Sequence, residues 1–405
     1  MMNSYDVIVI GVGGWGSAAL WQLARRGIKV AGIEQFTIGH DRGSSHGDSR
    51  IIRMAYFAHP DYVPLLRRAY GLWRELEAEK GVELMRLTGL LCIGEPEGAL
   101  IRGLERCYAA HAIEYERLSA GEAMHRFPQF ALPNDVSCYW DPFGGFLRPE
   151  ACVRAHVDGA MRAGATLIEG EAVTAIEPGR KGVEVRMTQQ TFTAQKVVVT
   201  AGAYANRLRG NSSAILVQPV RKVLFWYAVD DVRAFVPEQF PCWIAETNGR
   251  DFYGFPTLDG IVVKAAEDTG GQPLSDPMQV DRGLGAGDES NLRAFLDRLF
   301  AGRIGECVRY KTCLYERSVD DHFIVDVHPE HENVIVALGG SGHGFKFCSV
   351  IGELVADLAT GAVSRAPELF RISNRHGGDR NVPGRGVRLR GSAHGREAQM
   401  PRWWV

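Results

Sequence analysis

Several basic residues lie in segments that are otherwise apolar or rich in glycine. Basic side chains at such positions are candidates for a catalytic or binding role. In the stretch GSSHGDSRIIRMAY at 43–56, Arg50 and Arg53 bracket two isoleucines, and His46 precedes them. An arginine beside such apolar residues usually has its charge in use, because burying a guanidinium without an anion is costly. From this window alone, a solvated basic turn explains the sequence equally well.

Two lysines are out of place in their local patterns. Lys264 interrupts the apolar run DGIVVKAAED, which is predicted to be a strand. Lys346 lies in the first turn of a helix predicted from about Phe345 to Leu358, where the helix dipole disfavours a cation. That position suggests that Lys346 holds a carboxylate or faces negative charge on a cofactor ring. For each lysine, the alternative is a side chain that points into solvent.

Cys313 lies in YKTCLYER, a predicted strand that has no second thiol and no metal ligand nearby. Packing is one explanation, since a free cysteine behaves as a small hydrophobe, and a nucleophilic thiolate is the other. The even number of eight cysteines permits disulfides. Because no C-x-x-C motif and no secretory leader occur, we expect reduced thiols and a cytoplasmic protein. His328 and His331 flank a proline in a predicted turn, so no metal is expected there.

The N-terminus has the pattern of a dinucleotide-binding unit. The run YDVIVI predicts a buried parallel strand, and a helical pattern that ends at Gly27 follows the glycine turn formed by Gly11, Gly13 and Gly16. Glu34 ends a second predicted strand, 21 positions after Gly13, where a carboxylate can accept hydrogen bonds from ribose hydroxyls. The motif fits NAD and FAD equally.

The chain length and the net charge limit the number of domains and the kinds of partner that we expect. A chain of 405 residues predicts two domains, and the net charge of −2 gives no reason to expect nucleic acid or a membrane as partner. The apolar N-terminal run at 7–21 is broken by glycine and serine and predicts no membrane segment. Near the C-terminus, a strand at 333–338 and a glycine turn at 339–344 precede the helix of Lys346, so a second helix start can face an anionic group.

Taken together, these pieces resemble the monomeric sarcosine oxidase and N-methyltryptophan oxidase family, which also includes the pipecolate oxidases. The matching stretches are DVIVIGVGGWGSAA, SSHGDSRIIRMAY, VQPVRKVLFWY, YGFP followed by Lys264, TCLYERSVDDHFIVDVHPEHENV and GGSGHGFKF. The resemblance implies an α/β (α+β) fold, with a Rossmann-like FAD domain and an interleaved, mostly antiparallel substrate domain. It implies an FAD-dependent oxidase that converts a secondary amino acid to an imine and reduces oxygen to hydrogen peroxide. A flavin dehydrogenase with another acceptor, an NAD-dependent dehydrogenase and a non-catalytic binding protein are the alternatives.

The resemblance also assigns roles to residues. Cys313 corresponds to the cysteine that bonds covalently to FAD, and His46 and Arg50 correspond to residues beside the flavin ring. Arg53 and Lys346 correspond to the cations that hold the substrate carboxylate, and Lys264 to the lysine that activates oxygen. Tyr253 and Tyr315 match pocket aromatics, although both fit a core position as well. The predicted cofactor contacts are Gly11, Gly13, Gly16, Glu34, Ser45, Val173, Cys313, Gly342, Gly344 and Lys346.

Two positions depart from the sarcosine oxidase pattern. Asp268 stands where sarcosine oxidases carry a histidine, and Met54 replaces another histidine. We therefore expect a substrate other than sarcosine, either a larger cyclic amine or one that retains a positive group.

The domains are predicted to be interleaved along the chain. The FAD domain is assigned to 1–90, 148–215 and 306–375, and the substrate domain to 91–147 and 216–305. The segment 376–405 is predicted to be a Gly/Arg-rich tail. The expected partners are a small amino acid and oxygen, with the chain as a monomer or small homo-oligomer.

Overall fold

The computed structural model describes residues 4–208 and 217–375, so the predicted tail lies outside the described residues. Within that part, the seven α-helices are α1 Gly14–Ala24, α2 Tyr62–Lys80, α3 Ala99–Ala110, α4 Ala120–Arg126, α5 Pro149–Arg162, α6 Ser290–Leu299 and α7 Cys348–Thr360. The strands are β1 Ser4–Ile10, β2 Val30–Glu34, β3 Arg50–Ile52, β4 Met85–Leu87, β5 Leu90–Gly94, β6 Glu116–Leu118, β7 Ser137–Asp141, β8 Gly145–Leu147, β9 Thr166–Glu169, β10 Val173–Gly179, β11 Gly182–Met187, β12 Thr191–Val199, β13 Gln218–Val229, β14 Cys242–Thr247, β15 Arg250–Phe255, β16 Val263–Glu267, β17 Gln272–Pro273, β18 Ile304–Arg317, β19 Ile324–His328 and β20 His331–Leu338.

The N-terminal motif builds the centre of an eight-stranded sheet. Its main strand order is β10-β11-β12-β1-β2-β9, and β20 joins at β12 with β19 beside it. Strand β1 pairs in parallel with both β2 and β12, and its residues 7–10 are buried. A continuous apolar run is what a parallel strand covered on both faces requires. Helix α1 packs against α5 and α7 beside this sheet, which confirms the Rossmann-like unit.

A second, nine-stranded sheet forms the other half of the molecule. The strand order is β17-β13-β16-β15-β14-β5-β7-β6, with β18 paired along β13. Most of its pairs are antiparallel, and β14 with β5 is a parallel pair. This confirms the predicted fold class. Strands β3, β8 and β4 form a separate three-stranded sheet.

The predicted domain boundaries stay predictions, with one adjustment that the strand pairing requires. Strand β18 begins at Ile304 and pairs with β13 as far as Arg317. Residues 306–317 therefore belong to the nine-stranded sheet, although the prediction placed them with the FAD domain.

Several residues predicted to act in catalysis or cofactor binding lie on one face of the nine-stranded sheet. Cys313 lies opposite Lys222, Tyr315 opposite Val220, and Lys264 opposite Trp226. Because side chains alternate along a strand, residues at every second position share a face. Cys313, Tyr315, Leu224 and Trp226 accordingly pack in one cluster, with Tyr253 beside it.

Several predicted boundaries move by a few residues. Helix α1 ends at Ala24 rather than at Gly27, which has a φ of 76°. The last helix begins at Cys348, and residues Phe345–Phe347 form a 3-10 turn that contains Lys346. His328 and His331 flank the predicted turn between β19 and β20. In the described ranges, no helix has the length and hydropathy needed to cross a bilayer.

Candidate active site

An elongated cavity lies between the glycine turn after β1 and the shared face of the nine-stranded sheet. Among its lining residues are nine of the predicted site residues: Gly11, Gly13, Glu34, Ser45, Arg50, Val173, Tyr315, Gly342 and Gly344. The fold thus brings together positions from both ends of the chain in one continuous space.

The turn after β1 is shaped to approach an anion closely. Gly11 has a φ of 88°, and a Cβ there would lie 2.7 Å from the Ala201 Cα, so a side chain does not fit. The backbone N–H of Gly14, where α1 begins, donates to Ser45 Oγ at 3.0 Å. Free amides at a helix start favour a phosphate. Gly16 has a different role, which is to let the helix pack closely against the turn. A Cβ added at this position would lie 1.9 Å from the Gly11 carbonyl oxygen and would push the helix away from the turn.

Glu34 is held as a carboxylate at the far end of the cavity, near Val173. Its Oε2 accepts from the Val12 N–H at 2.8 Å, and its Oε1 accepts from the Phe36 N–H at 3.1 Å. Burial alone would raise the pKa of Glu34, but His40 and these two amides lower it below its ordinary value. A carboxylate retains lone pairs for further donors, so it can still accept a ribose hydroxyl.

Cys313 contacts Arg50, which lines the cavity, but is not itself among the lining residues. Arg50 Nη2 donates to Cys313 Sγ at 3.5 Å, and its Nη groups also donate to the carbonyls of Ser44 and Ser49 at 2.7 and 2.8 Å. The Cys313 thiol is buried. His46 lies beneath this group and donates from Nε2 to the Gly43 carbonyl at 3.1 Å. Burial and the nearby Arg50 lower the pKa of His46 well below 6.5, so its ring is neutral.

Lys264 points inward and not into solvent. Its Nζ donates to the carbonyls of Gly47 and Ser49 at 2.6 and 2.8 Å, and it lies 4.8 Å from the centre of the Phe255 ring. A Cβ at Gly47 would lie within 4 Å of both Lys264 Nζ and Arg50 Nη1, so the two cations are close together. Burial and Arg50 lower the pKa of Lys264 well below 10.5. Its positive charge is therefore poorly compensated by the protein.

Arg53 is a buried cation without an anionic partner among the described residues. Its side chain is 5% exposed, and no carboxylate of the described part lies within salt-bridge distance of it. Its guanidinium stacks 4.8 Å from the Tyr56 ring and 4.2 Å from the Phe57 ring, and its Nε has no hydrogen-bond partner. A buried guanidinium in this state strongly favours an anion from outside.

Lys346 is the second cation beside Tyr56. Its Nζ lies 5.4 Å from the centre of the Tyr56 ring and donates to the His343 carbonyl at 2.7 Å. Burial and then Arg53 lower the pKa of Lys346 well below 10.5. A carboxylate placed between Arg53 and Lys346 would offset the cost of burying each of these two positive charges.

Tyr315, Tyr253 and Asp268 form a polar edge beside these cations. The Tyr315 hydroxyl donates to Asp268 Oδ1 at 3.0 Å, and it also interacts with the Tyr253 hydroxyl. Burial raises the pKa of both tyrosines above 10, so they remain protonated donors. Asp268 is half-buried. Its backbone carbonyl accepts a hydrogen bond from Arg317 Nη2 at 3.3 Å.

Several residues that support this site escaped the sequence analysis. The Tyr56 hydroxyl bonds to His343 Nδ1 at 2.5 Å, so His343 contacts both the Tyr56 platform and, through its carbonyl, Lys346. Glu150 accepts from the Gly47 N–H at 2.6 Å and fixes the loop whose carbonyls hold Lys264. The GGSGHGFKF stretch marks the region of His343 in the sequence. The Glu150 contact joins residues about a hundred positions apart, so no local sequence pattern indicates it.

The side chains present fit FAD. A glycine turn at a helix start can take a pyrophosphate, Glu34 can take a ribose, and the face with Arg50, Lys264 and Cys313 can take a flat electron-poor ring. Among the described residues, the only grouping suited to a metal is His328, Glu330 and His331, outside this cavity.

Comparisons with known proteins agree with this arrangement. The model of the FAD dependent oxidoreductase family matches residues 6–358. The chain is 39% identical to a monomeric sarcosine oxidase from Streptomyces avermitilis, over 91% of this chain and 97% of that protein. It is 35% identical to an N-methyl-L-tryptophan oxidase from Yersinia pestis, over 87% and 94%. Among solved structures, NikD, an unusual amino acid oxidase essential for nikkomycin biosynthesis, matches with a TM-score of 0.79 and 29% identity, over 89% and 95%.

Proposed function

The chain belongs to the FAD dependent oxidoreductase family, and on this premise we propose that it oxidises a secondary amino acid and passes the electrons to oxygen. Bound FAD would accept a hydride equivalent from the carbon next to the substrate nitrogen. The relatives named sarcosine oxidase and N-methyl-L-tryptophan oxidase support an N-methyl or cyclic amine as the substrate class.

The observation that carries this proposal is the buried Arg53 guanidinium, which has no anionic partner in the described part of the chain. An arginine fork beside the Lys346 ammonium suits a carboxylate. Anchoring the carboxylate there would bring the rest of the substrate towards Tyr315 and Tyr253. The substrate side chain would then extend towards Asp268.

The same cations favour the reactive form of the amine. Arg50 lines the cavity and Lys264 lies close to Arg50, whereas Arg53 and Lys346 share the Tyr56 ring; none of the last three is among the lining residues. Like charges this close to the cavity disfavour a protonated substrate nitrogen. The site would thus bind the neutral amine without needing a strong base. The phenolic hydroxyls of Tyr315 and Tyr253 are available to orient it.

Lys264 is the proposed cation for oxygen reduction. The first electron makes superoxide, an anion, and a fixed positive charge lowers the barrier to its formation. Negative charge on the reduced cofactor would raise the lowered pKa of Lys264 and favour its ammonium form.

Cys313 is the proposed site of covalent attachment. Its sulfur would form a thioether with the 8α-methyl group of the flavin, helped by Arg50. Replacing the S–H and C–H bonds by the C–S bond releases two electrons and two protons, for which oxygen would be the acceptor. The hydrogen bond from Arg50 to Cys313 Sγ at 3.5 Å, with Arg50 lining the cavity, supports this position for the linkage.

A substrate panel tests the proposed reaction. We expect sarcosine, N-methyl amino acids, proline and pipecolate to be oxidised with one hydrogen peroxide per imine, and a substrate larger than sarcosine to have the highest kcat/KM. Asp268→His should move the ratio of kcat/KM values about tenfold towards sarcosine, the effect of about 1.4 kcal/mol. Turnover without peroxide would contradict oxygen as acceptor. Sarcosine as the best substrate of the unaltered chain would contradict the role of Asp268.

Lys264→Met tests oxygen activation. We expect flavin reoxidation by oxygen to slow by about 10²–10³-fold while anaerobic flavin reduction changes only a few fold, because the charge acts on superoxide. Stopped-flow absorbance separates the two half-reactions. Lys222→Met is the matched control, since Lys222 is a buried lysine of the same sheet and donates to the Thr269 carbonyl at 2.7 Å. Equal losses in both half-reactions would rule out this role for Lys264.

Acid precipitation tests the thioether. Flavin absorbance should stay with the precipitated protein and should move to the supernatant for Cys313→Ser. Cys348→Ser is the control, because this buried cysteine lines the cavity, whereas the hydrogen bond from Arg50 goes to the Cys313 sulfur. Flavin in the supernatant of the unaltered protein would show that Cys313 forms no bond to it.

A further inference from the structure

Glu316 is a carboxyl group in the cofactor cavity to which the proposed reaction gives no role. It follows Tyr315 in β18 and lines the cavity between Gly202 and the turn at 339–344. Its Oε1 accepts from the Gly340 N–H at 3.2 Å, and a Cβ at Gly202 would lie 2.7 Å from its Oε2. The carboxyl is therefore enclosed between two stretches of backbone that also border the cofactor space.

No cation compensates this carboxyl. Its Oε2 is buried and has no hydrogen-bond partner among the described residues, which also place no basic group within salt-bridge distance of it. Burial raises the pKa of Glu316 to about 7, and the Gly340 amide offsets only part of that effect. Glu316 therefore holds its proton to a higher pH than an ordinary glutamate does.

The titratable groups around Glu316 are engaged with other partners. On β13, the residue opposite is Pro219, which does not titrate. The other groups on the surrounding elements are bonded elsewhere: Arg207 to Asp276, His343 to Tyr56, Tyr315 to Asp268, and Arg317 to Asp321. The charge of Glu316 therefore responds mainly to whatever occupies the cavity.

The position of Glu316 makes it sensitive to the charge of the cofactor. Its carboxyl lies beside Gly202 and Gly340, and these residues line the cavity together with the anion-binding turn at Gly11–Gly14. The turn that holds its Oε1 leads into Lys346 and α7, where negative charge on a reduced flavin would be stabilised. A carboxylate at this point would be repelled by that negative charge, whereas a neutral carboxyl would not.

We propose, resting on the function proposed above, that the Glu316 carboxyl takes up a proton when the cofactor in this cavity is reduced. The substrate gives up a hydride, which carries two electrons, and then an N–H proton from the oxidised nitrogen. That proton balances the one that Glu316 Oε2 gains. When oxygen is reduced to hydrogen peroxide, one proton comes from the reduced cofactor and the other from Glu316, which returns to its starting state.

The flavin midpoint potential as a function of pH tests this proposal. The holoprotein is titrated anaerobically with dithionite and a reference dye between pH 5.5 and 9, so that no amino acid substrate is involved. Below about pH 7, Glu316 is protonated in both redox states. The midpoint potential should then fall with rising pH at the slope expected for one proton per two electrons. Above that pH the slope should become twice as steep, because reduction then binds a second proton.

Glu316→Gln should give the one-proton slope throughout this range, because an amide does not titrate. Glu306→Gln is the matched control, since Glu306 lies on the same strand with an exposed side chain, and it should keep the break. Glu316→Thr is a second variant in case the amide disturbs flavin binding. A single slope in the unaltered protein, or a break that persists in Glu316→Gln, would overturn the proposal. A preparation that binds no flavin would instead refute the proposed function.

Discussion

Buried positive charge is the constraint on which the rest of this structure depends. Arg53, Lys346 and Lys264 are at most 5% exposed, and in the described part of the chain they form no salt bridge; their close contacts are backbone carbonyls and aromatic faces. Burying charges in this way costs several kcal/mol each unless an anion offsets the cost. In the proposed reaction, such anions are the substrate carboxylate, the reduced flavin and superoxide. The buried positive charge of these side chains is thus the proposed source of both affinity and reactivity.

Two sheets of different construction make this arrangement possible. The parallel sheet provides the helix start and the carboxylate of Glu34, to which we assign the nucleotide end of the cofactor. The nine-stranded sheet provides a rigid face on which Cys313, Tyr315 and Lys264 keep fixed spacings through β13. Arg53 and Lys346 come from opposite ends of the chain and meet on the Tyr56 ring. Sites built on such elements are positioned more precisely than sites on loops.

Local sequence signals predicted the parts of the site that depend on local structure. The glycine turn and Glu34 belong to one compact strand–helix–strand unit, and each cation broke the pattern of its own segment. Partners set by tertiary structure had no such signal. The Glu150 contact with the Gly47 loop, the His343 bond to Tyr56 and the enclosure of Glu316 all depend on how distant segments pack. The short turn at Phe345–Phe347 was predicted as helix because its apolar residues continue the helical period of α7.

Binding of a carboxylate that cannot be oxidised tests the central claim most directly. Cyclopentanecarboxylate has the shape of proline without its nitrogen, and its Kd can be read from the flavin absorbance change. We expect Arg53→Met to weaken its binding about 100-fold or more, as expected when a buried ion pair worth about 3 kcal/mol is lost. The neutral cyclopentanecarboxamide should bind both proteins equally. Equal carboxylate affinities for the unaltered protein and Arg53→Met would contradict the account.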